Sequence, residues 1–108
     1  MSVLKLSRED NGKLIEPRQG DVIIVSLQET PTTGYRWTVD NIDGRILELQ
    51  NEGYHIAPGA GIGGSGTRTF SFRAIAVGGV NLKLKLRRGW AGDASIIERY
   101  SLTIKVLQ

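Results

Sequence analysis

The chain has 108 residues, of which 40% are apolar and 23% charged, and its formal net charge is +3. This length and composition are typical of one globular domain, so we expect a single domain over residues 1–108 and no extended disorder. Because the sequence contains no cysteine and one histidine, it cannot form a disulfide framework, a thiolate zinc site or a site with two imidazoles. We therefore expect neither a metal nor a cofactor.

The termini and the charge balance bear on compartment and partners. No apolar run approaches the about 18 residues of a membrane-spanning helix, and Lys5 follows the start too soon for a signal peptide. We expect a cytoplasmic protein without membrane contact; the alternative is a periplasmic, vesicular or secreted mature form after removal of a leader. The 14 Lys and Arg residues exceed the 11 Asp and Glu residues, a mild surplus that favours acidic partners without selecting one.

Apolar residues recur with a period of two along most of the chain, which predicts strands. In chain order, the predicted strands are 3–6, 21–27, 35–39, 46–49 continuing toward Tyr54, 67–77, 80–87 and 100–106. Residues 42–50 are the only helix-like stretch, and Gly44 weakens that interpretation. Glycine, proline and asparagine turn signals separate the strands. Seven or eight short strands in this pattern predict an all-β, two-sheet antiparallel sandwich.

Cationic residues occupy the alternate positions of one strand. Lys83, Lys85 and Arg87 alternate with leucines, and Lys105 is expected to join them from the last strand. A nucleic-acid groove would place aromatic stacking platforms between such cations. The intervening leucines belong to the core instead, so we interpret this face as solvated and expect no nucleic-acid partner.

Loop 1 (residues 30–35) combines residues that restrict its shape. Pro31 fixes φ near −65°, Gly34 permits a positive φ, and two β-branched threonines lie between them. The hydroxyl groups of Thr32 and Thr33 can bond to local backbone and hold the turn closed. The sequence predicts a stiff, narrow and uncharged projection, although a Pro-x-x-Gly sequence is also common in simple turns.

Loop 2 (residues 59–66) is rich in glycine. A phosphate-binding loop would be followed by a helix whose N-terminus meets the anion. The residues that follow, 67–72, have the pattern of a strand, so nucleotide binding is rejected. Either the segment is a flexible hairpin, or its backbone must lie close against another surface.

Loop 3 (residues 87–92) contains a tryptophan outside the alternating apolar register. Trp90 lies between Gly89 and Ala91-Gly92. A loop tryptophan is often tucked over the end of a sheet. An exposed tryptophan beside an arginine is instead the composition of a binding hot spot. The sequence leaves both interpretations open.

Three motifs in these loops carry a resemblance to a known family. They are, in chain order, Pro31-Thr32-Thr33-Gly34-Tyr35, Gly61-Ile62-Gly63-Gly64 and Arg88-Gly89-Trp90. This series resembles the chagasin-type inhibitors of papain-like cysteine proteases, which carry an Asn-Pro-Thr-Thr-Gly-aromatic loop, a Gly-x-Gly-Gly loop and an Arg-Pro-Trp loop. Length, strand count and loop order agree as well. Two positions depart from the family pattern, since Thr30 replaces the usual Asn and Gly89 the usual Pro.

The resemblance implies an immunoglobulin-like sandwich with the three loops at one end. It implies a monomeric, reversible, non-covalent inhibitor of proteases of the papain and cathepsin L type. Loop 1 would cover the catalytic cysteine, with Thr32 and Thr33 nearest to it, while Trp90 packs on aromatic surface and Arg88 supplies polar contacts. The protease-binding residues implied in this way are Thr30, Pro31, Thr32, Thr33, Gly34, Tyr35, Gly61, Ile62, Gly63, Gly64, Arg88, Gly89 and Trp90. Because Gly89 is freer than proline, we expect weaker inhibition than with the usual motif.

Two other classes of function remain as alternatives. A hydrolase would have to use His55 with Ser65 and an acid, but no nucleophile-elbow pattern accompanies Ser65. An immunoglobulin-like adhesion or interaction module, binding a protein or a glycan without inhibitory activity, would use the same fold and loops. The fold alone does not separate that module from an inhibitor, because function resides in the loops.

Overall fold

A computed structural model describes residues 2–56 and 66–108 of the chain. The described residues form eight strands and three short 3-10 segments. The strands are β1 (Val3–Leu6), β2 (Leu14–Ile15), β3 (Val22–Glu29), β4 (Tyr35–Asn41), β5 (Leu47–Ile56), β6 (Gly66–Ala74), β7 (Gly78–Arg88) and β8 (Glu98–Val106). The 3-10 segments are Arg8–Asp10, Pro31–Thr33 and Gly89–Ser95. Within this part of the chain, no helix is long and apolar enough to cross a membrane.

The strands form two four-stranded sheets, with the orders β1-β3-β6-β5 and β2-β8-β7-β4. This arrangement confirms the predicted sandwich. Two details differ from a wholly antiparallel pattern, because β1 pairs with β3 in parallel and β2 pairs with β8 in parallel. A parallel pair requires a crossover connection. The chain makes one after β1, when it crosses to the second sheet to form β2 before it returns as β3.

Inward side chains of both sheets build one core, as the period-two pattern predicted. β3 contributes Ile23, Val25 and Leu27, and the neighbouring β6 contributes Phe70 and Phe72, all of them buried. The facing sheet supplies a further apolar set, which consists of Trp37, Val80, Leu82, Leu84, Tyr100, Leu102, Ile104 and Val106. The helix-like stretch forms no helix. Instead, a turn in which the backbone N–H groups of Ile46 and Leu47 both donate to Asp43 leads into β5.

The predicted cationic face is only partly solvated. Lys83 and Lys105 are exposed, as expected. The Lys85 side chain is only 12% exposed, because its ammonium group lies 2.9 Å from Asp93 and 3.0 Å from Asp40. Hydrogen bonds to Asp93 and Asp40 raise the pKa of Lys85 above its ordinary value. The prediction of a freely solvated lysine row was therefore wrong at this position.

Candidate functional site

The three loops leave the sandwich from one pole. In the first sheet, Glu29 at the end of β3 pairs with Gly66 at the start of β6, and Gly66 pairs with Ile56 at the end of β5. In the second sheet, Tyr35 at the start of β4 pairs with Arg88 at the end of β7. The predicted residues Gly61, Ile62, Gly63 and Gly64 lie outside the described residues. The two strand ends that flank them, Ile56 and Gly66, belong to this pole.

Loop 1 is closed by one threonine. Residues Pro31–Thr33 form a single 3-10 turn. The backbone N–H and the hydroxyl of Thr33 both donate to the Thr30 carbonyl, at 3.2 and 2.7 Å, and the Tyr35 N–H donates to the Thr33 hydroxyl at 3.3 Å. The predicted bracing by a threonine hydroxyl is confirmed for Thr33. Thr30 takes part through its backbone carbonyl, so this brace does not depend on the asparagine side chain that the family pattern has there.

Loops 1 and 3 contact each other through Gly34 and Trp90. Gly34 has a φ of +79°, and a methyl group placed there would overlap Cη2 of the Trp90 indole and lie 3.0 Å from Cζ3. The indole therefore rests directly on the Gly34 backbone. The guanidinium of Arg88 lies 4.6 Å from the ring centre of Tyr35 and 5.7 Å from that of Trp90, within the range of cation–π attraction.

Trp90 is 76% exposed. The alternative of a tryptophan tucked over the end of the sheet is therefore wrong, and the exposed interpretation is the one that the structure supports. With Arg88 beside it and Gly34 of loop 1 beneath it, Trp90 presents an exposed apolar surface.

Loop 3 is braced by a residue that the sequence analysis missed. The Ser95 hydroxyl accepts the Arg88 N–H at 3.0 Å and lies 2.7 Å from the carbonyl of Gly92 and 3.1 Å from that of Arg88. Gly92 has a φ of +64°, which lets the chain turn back within the 3-10 segment. The position of Ser95 just after a glycine-containing turn could have indicated this brace, because serine hydroxyls bond readily to local backbone.

A buried ion pair lies beneath the loops. The Glu29 side chain is 3% exposed, and it accepts a hydrogen bond from Arg68 at 2.7 Å and the Trp37 N–H at 2.7 Å. The Tyr54 hydroxyl donates to the Glu29 carbonyl at 3.0 Å. These bonds join β3, β4, β5 and β6 where loops 1 and 2 begin or end. The sequence did indicate this burial, because Glu29 continues the series of alternate, inward-facing residues of β3 that begins with Ile23, Val25 and Leu27. A carboxylate at such a position needs a partner in the core.

The described residues bear on two alternatives, a metal site and the His55–Ser65 pair. Among residues 2–56 and 66–108, no group of three or more His, Asp or Glu side chains is placed to hold a metal ion. His55 is an exposed residue of β5, and its suggested partner Ser65 lies outside the described residues. The described part of the pole presents a closed neutral turn beside an exposed aromatic ring.

Comparison with known proteins identifies the family to which this chain belongs. The chain is 30% identical over 92 residues to Amoebiasin-1 of Entamoeba histolytica, with 85% of this chain and 89% of that protein covered. Its fold matches the crystal structure of the cysteine protease inhibitor EhICP2 from Entamoeba histolytica, with a TM-score of 0.88, 18% identity and 98% and 96% of the two chains covered. It also matches PbICP-C in complex with falcipain-2, with a TM-score of 0.68, 11% identity and 98% and 99% covered.

These two structural likenesses concern the fold. Membership is shown by the family model described as "Chagasin family peptidase inhibitor I42", which matches residues 16–104 and so includes all three loops. The chain belongs to the chagasin family of peptidase inhibitors.

Proposed function

We propose that this chain inhibits papain-like cysteine proteases reversibly and without a covalent bond, by placing loops 1, 2 and 3 in the active-site cleft. As a member of a peptidase-inhibitor family, it is an inhibitor rather than an enzyme. The observation that carries the proposed mode of binding is the contact of Trp90 with Gly34, which joins loops 1 and 3 into one exposed surface. The related fold of PbICP-C, solved in complex with falcipain-2, supports the choice of target class.

Loop 1 is suited to lie over a catalytic cysteine. Thr32 and Thr33 are exposed and uncharged, and the Thr33 hydroxyl is already bonded to the Thr30 carbonyl at 2.7 Å. A closed 3-10 turn does not present an extended scissile peptide to the nucleophile. Loop 1 can therefore occupy the cleft without being cleaved.

The bracing of the loops reduces the cost of docking. Association loses free energy when mobile side chains and loops become ordered, and a loop that is already ordered loses less. Loop 1 is held by Thr33 and follows β3, which the Glu29–Arg68 pair joins to β6, and loop 3 is held by Ser95. A sandwich without disulfides can thus present the rigid surface that tight inhibition requires.

Titration of the purified protein against active-site-counted papain and cathepsin L tests the proposal. We expect activity to be abolished near one equivalent and restored on dilution. Full protease activity at micromolar excess of the chain would contradict it. Capture of a different stable partner from a mixture, without any cysteine protease, would then support the adhesion module.

Trp90→Ala tests the contact surface itself. If Trp90 is a hot spot, the inhibition constant rises by an amount equivalent to about 1–4 kcal/mol. The stability should change little, because the side chain is 76% exposed. Val77→Ala is the matched control, since Val77 is 53% exposed in the turn between β6 and β7 at the opposite pole. Equal inhibition by both variants would remove Trp90 from the interface.

A further inference from the structure

A cleft of about 380 Å³ adjoins loops 1 and 3 on the side of the sandwich. Gly34 of loop 1 and Gly89 of loop 3 form part of its wall, and the edge strands β4 and β5 contribute Arg36, Thr38 and Glu52. Arg87 of β7 and apolar side chains complete the lining. The cleft is therefore continuous with the surface that the proposed function places against a protease.

Two arginines in this cleft face each other, and the carboxylate among the lining residues is that of Glu52. Arg36 and Arg87 are cross-strand partners, and like charges in such positions repel. In the part of the chain that the structure describes, neither forms an ion pair. Lys85, two residues before Arg87 on the same strand, differs from both arginines, because its ammonium group forms ion pairs with Asp40 and Asp93.

Polar groups in the same cleft also lack partners. The Thr38 hydroxyl oxygen and the Nε of Arg87 are covered from solvent, and among the described residues neither has a hydrogen-bond partner. Buried donors are normally satisfied. The Nε of Arg87 and a terminal Nη form the guanidinium edge that binds carboxylates in a bidentate manner.

We propose that this cleft binds one carboxylate, supplied by an aspartate or glutamate side chain on the rim of the protease's active-site cleft. The proposal rests on the proposed function for the source of the carboxylate. Two guanidinium groups and the Glu52 carboxylate leave a single positive charge, which matches a monoanion. Phe70, Val39 and Leu49 contribute apolar surface to the lining. Loop 1 and Trp90 of loop 3 occupy the protease cleft, while Arg36 and Arg87 bind its edge.

The first experiment tests the site without a protease. An isotope-labelled sample is titrated with a short acetylated peptide of alternating aspartate and serine, and the arginine Nε–H signals are followed by NMR. We expect the signals of Arg36 and Arg87 to shift in a saturable way, and the shifts to be absent with the asparagine form of the peptide. An adventitious ionic effect would move Arg73 equally, since Arg73 is exposed on the other sheet. Equal shifts, or no shift, would overturn the carboxylate site.

The second experiment uses papain and cathepsin L. Arg36→Gln/Arg87→Gln should weaken inhibition of at least one protease by about 10- to 100-fold and reduce its dependence on ionic strength. The double variant Arg73→Gln/Lys105→Gln changes the net charge equally at exposed positions and should inhibit like the wild type. The melting temperature of Arg36→Gln/Arg87→Gln should stay constant or rise, because a like-charge pair is removed.

A double-mutant cycle then locates the partner. Single Asp→Asn and Glu→Gln variants along the rim of the sensitive protease are each combined with Arg87→Gln. One rim carboxylate should show coupling to Arg87, and additive effects at every rim position would overturn the proposal. If the wild-type chain inhibits neither protease, the proposed function fails, whereas the carboxylate site is still decided by the NMR titration.

Discussion

Replacing Gly34 by alanine tests how loops 1 and 3 support each other. Gly34 adopts a φ of +79°, a conformation that costs an alanine about 1–2 kcal/mol. The added methyl group would also overlap Cη2 of Trp90 and lie 3.0 Å from Cζ3 and 3.5 Å from Cζ2. Because the contacted atoms are the far end of an exposed side chain, we expect the indole to move rather than the backbone.

The two effects have different consequences and can be measured separately. Backbone strain lowers the free energy of unfolding by about 1–2 kcal/mol, which urea denaturation followed by circular dichroism would detect. Displacement of the indole raises the inhibition constant for papain by up to the full effect of Trp90→Ala, about 1–4 kcal/mol. The structure therefore predicts a loss of affinity in addition to a loss of stability.

Gly12→Ala is the matched control for the strain. Gly12 has a φ of +84°, but a methyl group there would meet no atom within 4 Å. This variant should lose the same stability as Gly34→Ala and inhibit like the wild type. The reasoning is refuted if Gly34→Ala inhibits as well as the wild type, or if Gly12→Ala weakens inhibition by the same factor.

Three further changes have expected outcomes. Gly89→Pro should lower the inhibition constant about 2- to 5-fold in the same titration, because Arg88 already has the extended conformation (φ −82°, ψ 124°) that proline requires before it. An inhibition constant that stays the same or rises would contradict this expectation. Glu29→Gln should lower the free energy of unfolding by about 3–5 kcal/mol, since Arg68 is left charged and buried, and Glu29→Met/Arg68→Met should cost less than this single change. Burial raises the pKa of Tyr100 to about 12 from an ordinary 10.0. The unfolded chain therefore loses this proton first, so the melting temperature should fall as pH rises from 10 toward 12, and this contribution should be missing in Tyr100→Phe.

The arrangement of loop 1 and loop 3 explains how a small sandwich can serve as an inhibitor. Each loop carries its own hydroxyl brace, from Thr33 and Ser95, and the two loops share the contact of Gly34 with Trp90. Local hydrogen bonds hold each loop, and the packing between loops holds their relative position. Rigidity at both levels favours binding, because little conformational freedom remains to be lost on docking.

The sequence by itself predicted seven of the eight described strands, all except β2, together with the sandwich and the places of the loops between the strands. Alternation of apolar residues is a local property that the chain carries in any environment, so β3, β7 and β8 could be predicted from it. The loop motifs were equally local, and the turn-closing role of the Thr33 hydroxyl followed from residue types alone. The alternation also predicts that Glu29 faces inward, but it does not indicate that Arg68 is the partner.

Only the tertiary structure decided which distant residues meet. The position of the Trp90 indole depends on its contact with Gly34, the burial of Glu29 on Arg68, and the cationic cleft on the register that pairs Arg36 with Arg87. The parallel pairing of β1 with β3 likewise depends on the crossover of the chain to the second sheet, where β2 pairs with β8. Strand register and sheet order are set by the packing of the whole core. The residues around one side chain in the sequence therefore do not determine which strand will lie beside it.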